Sequence, residues 1–159
     1  MKRNILITGF DNALTESVAK EIADALSLYY LSLPDLTLYY ANRPSKAVVL
    51  KEGGNKLYEK YVNIAVKDAV EFESMVAAAD FTDLKMSHID ALKDTALVIF
   101  LGESYKTLKK NGVKISENVA NYSRYKYKYG YDIYVNADAV GRKNLAARIM
   151  DGITRYYGG

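Results

Sequence analysis

Residues 96–101 read Ala-Leu-Val-Ile-Phe-Leu, six apolar side chains with no polar alternation. A run of strand length that never turns a polar face outward predicts a strand buried on both sides, the condition of a parallel sheet covered by helices. The rest of the chain fits that demand. Strand patterns fall at 4–8, 29–33 and 132–135, and 75–79 reads as a central strand or a helical continuation. Between them lie helical patterns at 15–28, 56–70, 87–92, 104–110, 116–127 and 142–156. Ser87 is the expected cap of its helix, and Asn111-Gly112 an expected left-handed stop. Pro34 is expected to end the second strand, with a short helix beginning 35–44, while 48–54 carries no clear period. Alternating strands and helices imply an α/β fold with a parallel sheet between helical layers. With 159 residues, no repeat and no linker, we expect one domain over 1–159.

Composition narrows the chemistry. Cysteine is absent and His88 is the lone histidine, so thiolate sites, histidine metal sites and histidine relays are excluded, and a cytoplasmic setting is expected. No 18-residue apolar run or signal peptide stands out, so no membrane role is expected. His88 is expected to be structural or exposed. A net charge of +3 names no partner.

The first strand runs into Gly9-Phe-Asp-Asn-Ala-Leu-Thr-Glu-Ser17. Strand, glycine and helix is how a phosphate-binding loop, G-x-x-x-x-G-K-[ST], is assembled. Its backbone N–H groups surround the phosphates, its lysine reaches their outer oxygens and its hydroxyl holds Mg²⁺. Aligned from Gly9, the second glycine is Leu14, the lysine is Thr15 and the hydroxyl position is Glu16. A leucine Cβ obstructs close wrapping of the backbone, and no lysine faces the β/γ-phosphates. Asp11 and Glu16 can supply, from the protein itself, the anion that a helix start favours. Gly53-Gly54 is expected to be a turn before the next helix, since no Lys-Ser/Thr follows.

The layout "ILITGF" followed by "VAKEIADALSLYYLSL", then "ALVIFLGESYKTLKK" and "YKYGYDIYVNAD", resembles shikimate kinase, a P-loop kinase of the nucleoside-monophosphate-kinase type, over nearly the whole chain. The resemblance implies a three-layer αβα fold with about five parallel strands in order 2-3-1-4-5, plus a lid. It rests on hydrophobic pattern, and the family's functional motifs carry over poorly. The D-x-D that holds Mg²⁺ and shikimate falls on Ser32-Leu33-Pro34, with Asp35 one place late. The triple glycine falls near Ala78-Ala79-Asp80, and the substrate arginine on Ser123, one place before Arg124. The lid is reduced to about 109–118 and carries lysines only. Phosphoryl transfer is largely positioning and charge neutralisation, so losing these groups together argues against the family reaction.

The stretch 121–134 holds six tyrosines interleaved with Arg124, Lys126 and Lys128, and 103–134 carries seven Lys or Arg against three acidic residues. Cations between aromatics can track a phosphate backbone while bases stack. Tyr122, Tyr125 and Tyr129 also fall on one helical face, where they would cover the sheet, and no RNA-binding motif accompanies them. Arg142-Lys143, at the start of the last helix, reads as a solvated charge pair.

The expectation is therefore a catalytically degenerate shikimate-kinase-like protein needing no cofactor, with a degenerate loop at Gly9, Asp11, Asn12, Leu14, Thr15, Glu16 and Ser17. It would bind a protein partner, a second copy of itself or a small anionic metabolite. The best remaining ligand contacts are Thr15, Ser17, Arg124 and the lid lysines Lys109, Lys110 and Lys114. One alternative is an active ATP- and Mg-dependent small-molecule kinase with a rebuilt site. The other is a basic, tyrosine-rich nucleic-acid-binding module.

Overall fold

The computed structural model describes residues 2–121 and 130–158. Five parallel strands form its centre in the order β2-β3-β1-β4-β5. They are β1 (Asn4–Gly9), β2 (Tyr29–Ser32), β3 (Met75–Asp80), β4 (Ala96–Gly102) and β5 (Ile133–Asn136). The register places Ile7 between Ala78 of β3 and Ile99 of β4.

Alternate residues of each strand serve opposite helical layers. Ile5, Ile7, Val76, Leu97 and Ile99 pack on α1 (Asn12–Leu26) and α8 (Leu145–Gly158), through Val18, Ile22, Leu145 and Ile149. Leu6, Ala77, Ala79 and Val98 face α3 (Lys46–Glu71), through Val62, Ala65, Val66 and Ala69. The run at 96–101 is therefore apolar throughout because both of its faces are covered. The alanines that left 75–79 open between strand and helix are buried in β3, where small side chains let α3 lie close.

Several boundaries differ from the sequence reading. The first helix begins at Asn12, three residues before the expected Thr15. Asp11 caps it, its carboxylate accepting the Leu14 N–H at 3.3 Å. α2 (Leu33–Ala41) starts directly after β2, with Ser32 as cap and Pro34 in the first turn, where a missing N–H costs nothing. The unassigned 48–54 belongs to α3, which is kinked rather than interrupted by a turn: Gly54 sits at φ 70°, ψ −164°, a conformation essentially reserved for glycine.

α4 (Met86–Lys93) begins one residue before Ser87, and Ser87 does not cap it. The buried His88 does the work instead, its Nδ1 accepting the Lys85 N–H at 3.0 Å. Its Nε2 faces the Asn63 side-chain Oδ1 at 2.5 Å. Ser104 caps α5 (Tyr105–Lys110), and Gly112, at φ 78°, lies in the turn that follows. After Ser116 comes α6 (Glu117–Ala120), and the expected continuation of that helix to 127 lies outside the described residues. A short α7 (Ala137–Val140) and a 3₁₀ turn (Arg142–Asn144) lead into α8. No helix among the described residues is long and apolar enough to cross a membrane.

Candidate functional site

In open α/β sheets ligands bind beyond the carboxyl ends of the strands, so the site must be sought where β1, β3 and β4 end. Gly9 closes β1. A Cβ there would lie 2.9 Å from the Leu101 carbonyl oxygen and 3.4 Å from Thr15 Cγ2. The close approach of β4 already demands a glycine, with no ligand required. Phe10 then turns inward, Asp11 caps, and the helix has begun. The Leu14 N–H is taken by the Asp11 carboxylate and the Thr15 N–H by the Asp11 carbonyl at 3.0 Å. Leu14 and Thr15 are buried, Ser17 is exposed, and the Thr15 hydroxyl donates back to the Asn12 carbonyl at 2.9 Å.

Glu16 does not serve the helix terminus, as the sequence suggested it could. It accepts from the Asn12 amide at 2.9 Å and from the Ser32 hydroxyl at 3.2 Å. Ser32 in turn caps α2, so this carboxylate ties the starts of two helices together.

A second carboxylate was missed by sequence reasoning. Glu103, immediately after β4, has a side chain only 3% exposed. Between it and Asp11 lies Arg142, 2.6 Å from Asp11 Oδ2 and 3.2 Å from Glu103 Oε2. Arg142 is therefore no mere member of a solvated pair, since its guanidinium bridges the ends of β1 and β4. Burial raises the Glu103 carboxyl above its usual range and the nearby Asp11 adds to this, while Arg142 opposes both. Burial would lower the Arg142 guanidinium, but Asp11 and Glu103 overcome it and raise it. Asp138 is also desolvated, yet the Ser104 N–H, which it accepts at 2.8 Å, brings it below the usual carboxylate range. The only sequence hint of this cluster was a charged residue placed directly behind a fully apolar strand.

Beside the cluster the crevice is filled by rings. Phe10, Phe81 and Phe100 meet edge to face, with centroids 4.7 to 5.7 Å apart. Tyr131 and Tyr134 stack on Phe100 at 5.0 and 6.1 Å. Val113 and Ile115 of the lid segment pack on this cluster. Lys109, Lys110 and Lys114 point into solvent and pair with no carboxylate of the loop among the described residues. Arg124 and the tyrosines at 122, 125 and 129 lie outside the described residues. A polar cavity of about 130 Å³ remains beside Glu103, Asn121, Tyr134 and Asp138.

No family model matches the sequence, and no curated protein does. Solved structures do match. Shikimate kinase from Aquifex aeolicus superposes with a TM-score of 0.83 at 14% identity, over 98% of this chain and 99% of that one. The fold is that of shikimate kinase. The enzyme from Acinetobacter baumannii, solved in complex with shikimate, gives 0.78 at 12% identity over 99% and 96%. A gluconokinase from Sinorhizobium meliloti gives 0.61 at 14% identity over 98% and 93%. At such identities the shikimate-kinase likeness is one of fold alone. No group of three or more His, Asp or Glu side chains able to hold a metal ion occurs among the described residues.

Proposed function

We propose that this chain is a shikimate-kinase-like protein that binds without transferring phosphate, its partner being another protein, a second copy or a small anionic molecule. The observation that carries this reading is the Asp11–Arg142–Glu103 cluster at the start of α1. A nucleotide's phosphates need free backbone N–H groups and an unpaired cation. Here the N–H groups of Leu14 and Thr15 are spent on Asp11 and the nearby guanidinium on two carboxylates. ATP with Mg²⁺ does not fit that arrangement.

The test is a thermal-shift titration with Mg-ATP, Mg-ADP and shikimate. A ligand at 100 times its Kd stabilises the folded state by about 2.7 kcal/mol. We expect flat titrations. A rise with Mg-ATP would favour the second reading, an active small-molecule kinase, which the fold likeness to shikimate kinase and gluconokinase supports. The third reading, nucleic-acid binding, requires a complex with a labelled oligonucleotide that weakens steeply with salt.

A loop-restoration experiment refines the reading. Leu14→Gly, Thr15→Lys and Glu16→Ser together leave Asp11 on Arg142, so we expect them to bring back no ATP binding. Adding Asp11→Gly frees the helix start and removes one of the two carboxylates on the guanidinium, leaving Arg142 on Glu103. Binding that returns only with the fourth change would assign the obstruction to Asp11.

A further inference from the structure

The turn that leaves α5 carries chemistry of a different kind. Asn111 is followed by Gly112, and no other asparagine of the chain precedes a glycine. A glycine nitrogen has no neighbouring Cβ to shield it, and apart from its chain neighbours no atom lies within 4 Å of where a Cβ of Gly112 would stand. Both residues are exposed. In the closed turn the Gly112 N–H donates to the Lys109 carbonyl at 3.1 Å and the Asn111 N–H to the Thr107 carbonyl at 3.1 Å. The Asn111 side-chain amide donates to the same Thr107 oxygen at 2.9 Å. Asn111 sits at φ −89°, ψ 11°. Bringing the Gly112 nitrogen to Asn111 Cγ needs a rotation about that ψ, so the turn must open first. Little resists this. α5 is six residues long and Leu108 is its one buried residue, and exposed backbone hydrogen bonds at the end of an element open at the lowest cost in a fold.

The charges around the turn favour attack by that nitrogen. It must shed its proton, and nearby cations stabilise the anion that remains. Lys109, Lys110 and Lys114 are exposed around the turn, and no acidic residue falls between Glu103 and Glu117. Asp151-Gly152 is the comparable acidic dipeptide, yet it lies inside α8 with its carboxylate on Arg148 and Arg155 at 3.8 and 3.1 Å. Its glycine nitrogen belongs to a helical ladder and not to an exposed end.

We propose that Asn111 is a self-modification site, at which attack by the Gly112 nitrogen turns the side-chain amide into a succinimide and then into aspartate and isoaspartate. The bond that forms joins Gly112 N to Asn111 Cγ. The bond that breaks is the one to Nδ2, which leaves as ammonia with the proton that Gly112 gives up. One water then opens the ring at either carbonyl, and no oxidant or reductant takes part. Aspartate places a carboxylate among the lid lysines Lys109, Lys110 and Lys114. Isoaspartate also threads the side-chain methylene into the backbone, between the end of α5 and Val113, which with Ile115 packs the lid segment on the ring cluster. The lid therefore changes in charge and in anchoring as the protein ages, with no enzyme required.

The experiment incubates the full chain at neutral and at mildly alkaline pH, in buffer and in denaturant. Each asparagine is followed by peptide-mapping mass spectrometry, with an isoaspartate-specific methyltransferase to count the isomer. Asn55 and Asn118 are the internal references, exposed as Asn111 is but followed by Lys56 and Val119. In the folded chain Asn111 should convert about tenfold faster than either, and faster again at the higher pH. Gly112→Ala strains a φ of 78° in the folded turn, so it is read in denaturant, where it should slow the loss about tenfold. An Asn111 that stays intact in buffer, or reacts there no faster than Asn55 and Asn118, overturns the proposal. So does a loss that Gly112→Ala leaves unchanged.

Discussion

Two neighbouring regions of one sheet end are built on opposite principles. Between β1 and β4 the charged side chains are paired inside the protein: Asp11 and Glu103 share Arg142, and Phe10, Phe81 and Phe100 meet edge to face beside them. Beside α3, Lys46 and Lys85 are exposed and each holds a carboxylate, Asp83 and Glu59, at the edge of an open groove. The first region is held by buried carboxylates and rings, and the second by ion pairs whose lysines are open to solvent. Removing one partner of an ion pair therefore costs most where the remaining charge is buried and least where water can replace the lost group.

The contrast can be broken at its most buried point. Phe100 is fully buried among four rings, and Phe100→Ala should cost about 3–5 kcal/mol in denaturant unfolding. A loss under about 1 kcal/mol, far below the large-to-small range, would mean that the crevice is loosely filled. Arg142→Ala comes next. Stranding a fully buried charge costs about 3–5 kcal/mol and breaking an exposed pair about 0–1. The Arg142 side chain is 42% exposed but its partners are not, so about 2 kcal/mol is expected between those limits. Glu103→Gln in the same background should recover part of that loss.

On the open side the effects are smaller. Gly54→Ala meets no neighbouring atom, yet it forces a side chain onto a positive φ. A cost of order 1–3 kcal/mol is expected, unless α3 straightens, which would appear as a gain in helical circular dichroism. His88 gives a pH dependence. Burial first, and then the Lys85 charge, lower its pKa, so the folded ring is neutral and Nδ1 is free to accept the Lys85 N–H. The unfolded chain binds that proton more readily. Stability should hold above about pH 6.5 and fall as pH drops below the unfolded value, and His88→Asn should flatten that part of the profile. The smallest effect belongs to the lid lysines: replacing Lys109, Lys110 and Lys114 by alanine should change stability by under about 0.5 kcal/mol each.

The sheet was legible because its signal is local. Residues 96–101 can hardly be anything other than a doubly covered strand, and the resemblance implied the order of strands that is observed. Element starts were less legible where an unusual group performs the cap. His88 does so by accepting through a ring nitrogen, and no residue-type preference for serine at Ser87 would reveal that. The site was least legible of all. Asp11 and Arg142 stand 131 positions apart, and no periodicity connects them. The sequence shows that the loop lacks a lysine and cannot show which distant cation answers its carboxylates.

The contact between Ser32 and Glu16 carries one last implication. Against the shikimate kinase pattern, the hydroxyl expected at 16 and the carboxylate expected at 32 have traded places, and the two groups still touch at 3.2 Å. Undoing the trade at 32 alone would set two negative groups against each other, while undoing it at 16 alone would leave two alcohols. Any mutational route between the two arrangements that avoids repulsion must pass through the pair of alcohols, so it opens from position 16 and not from position 32.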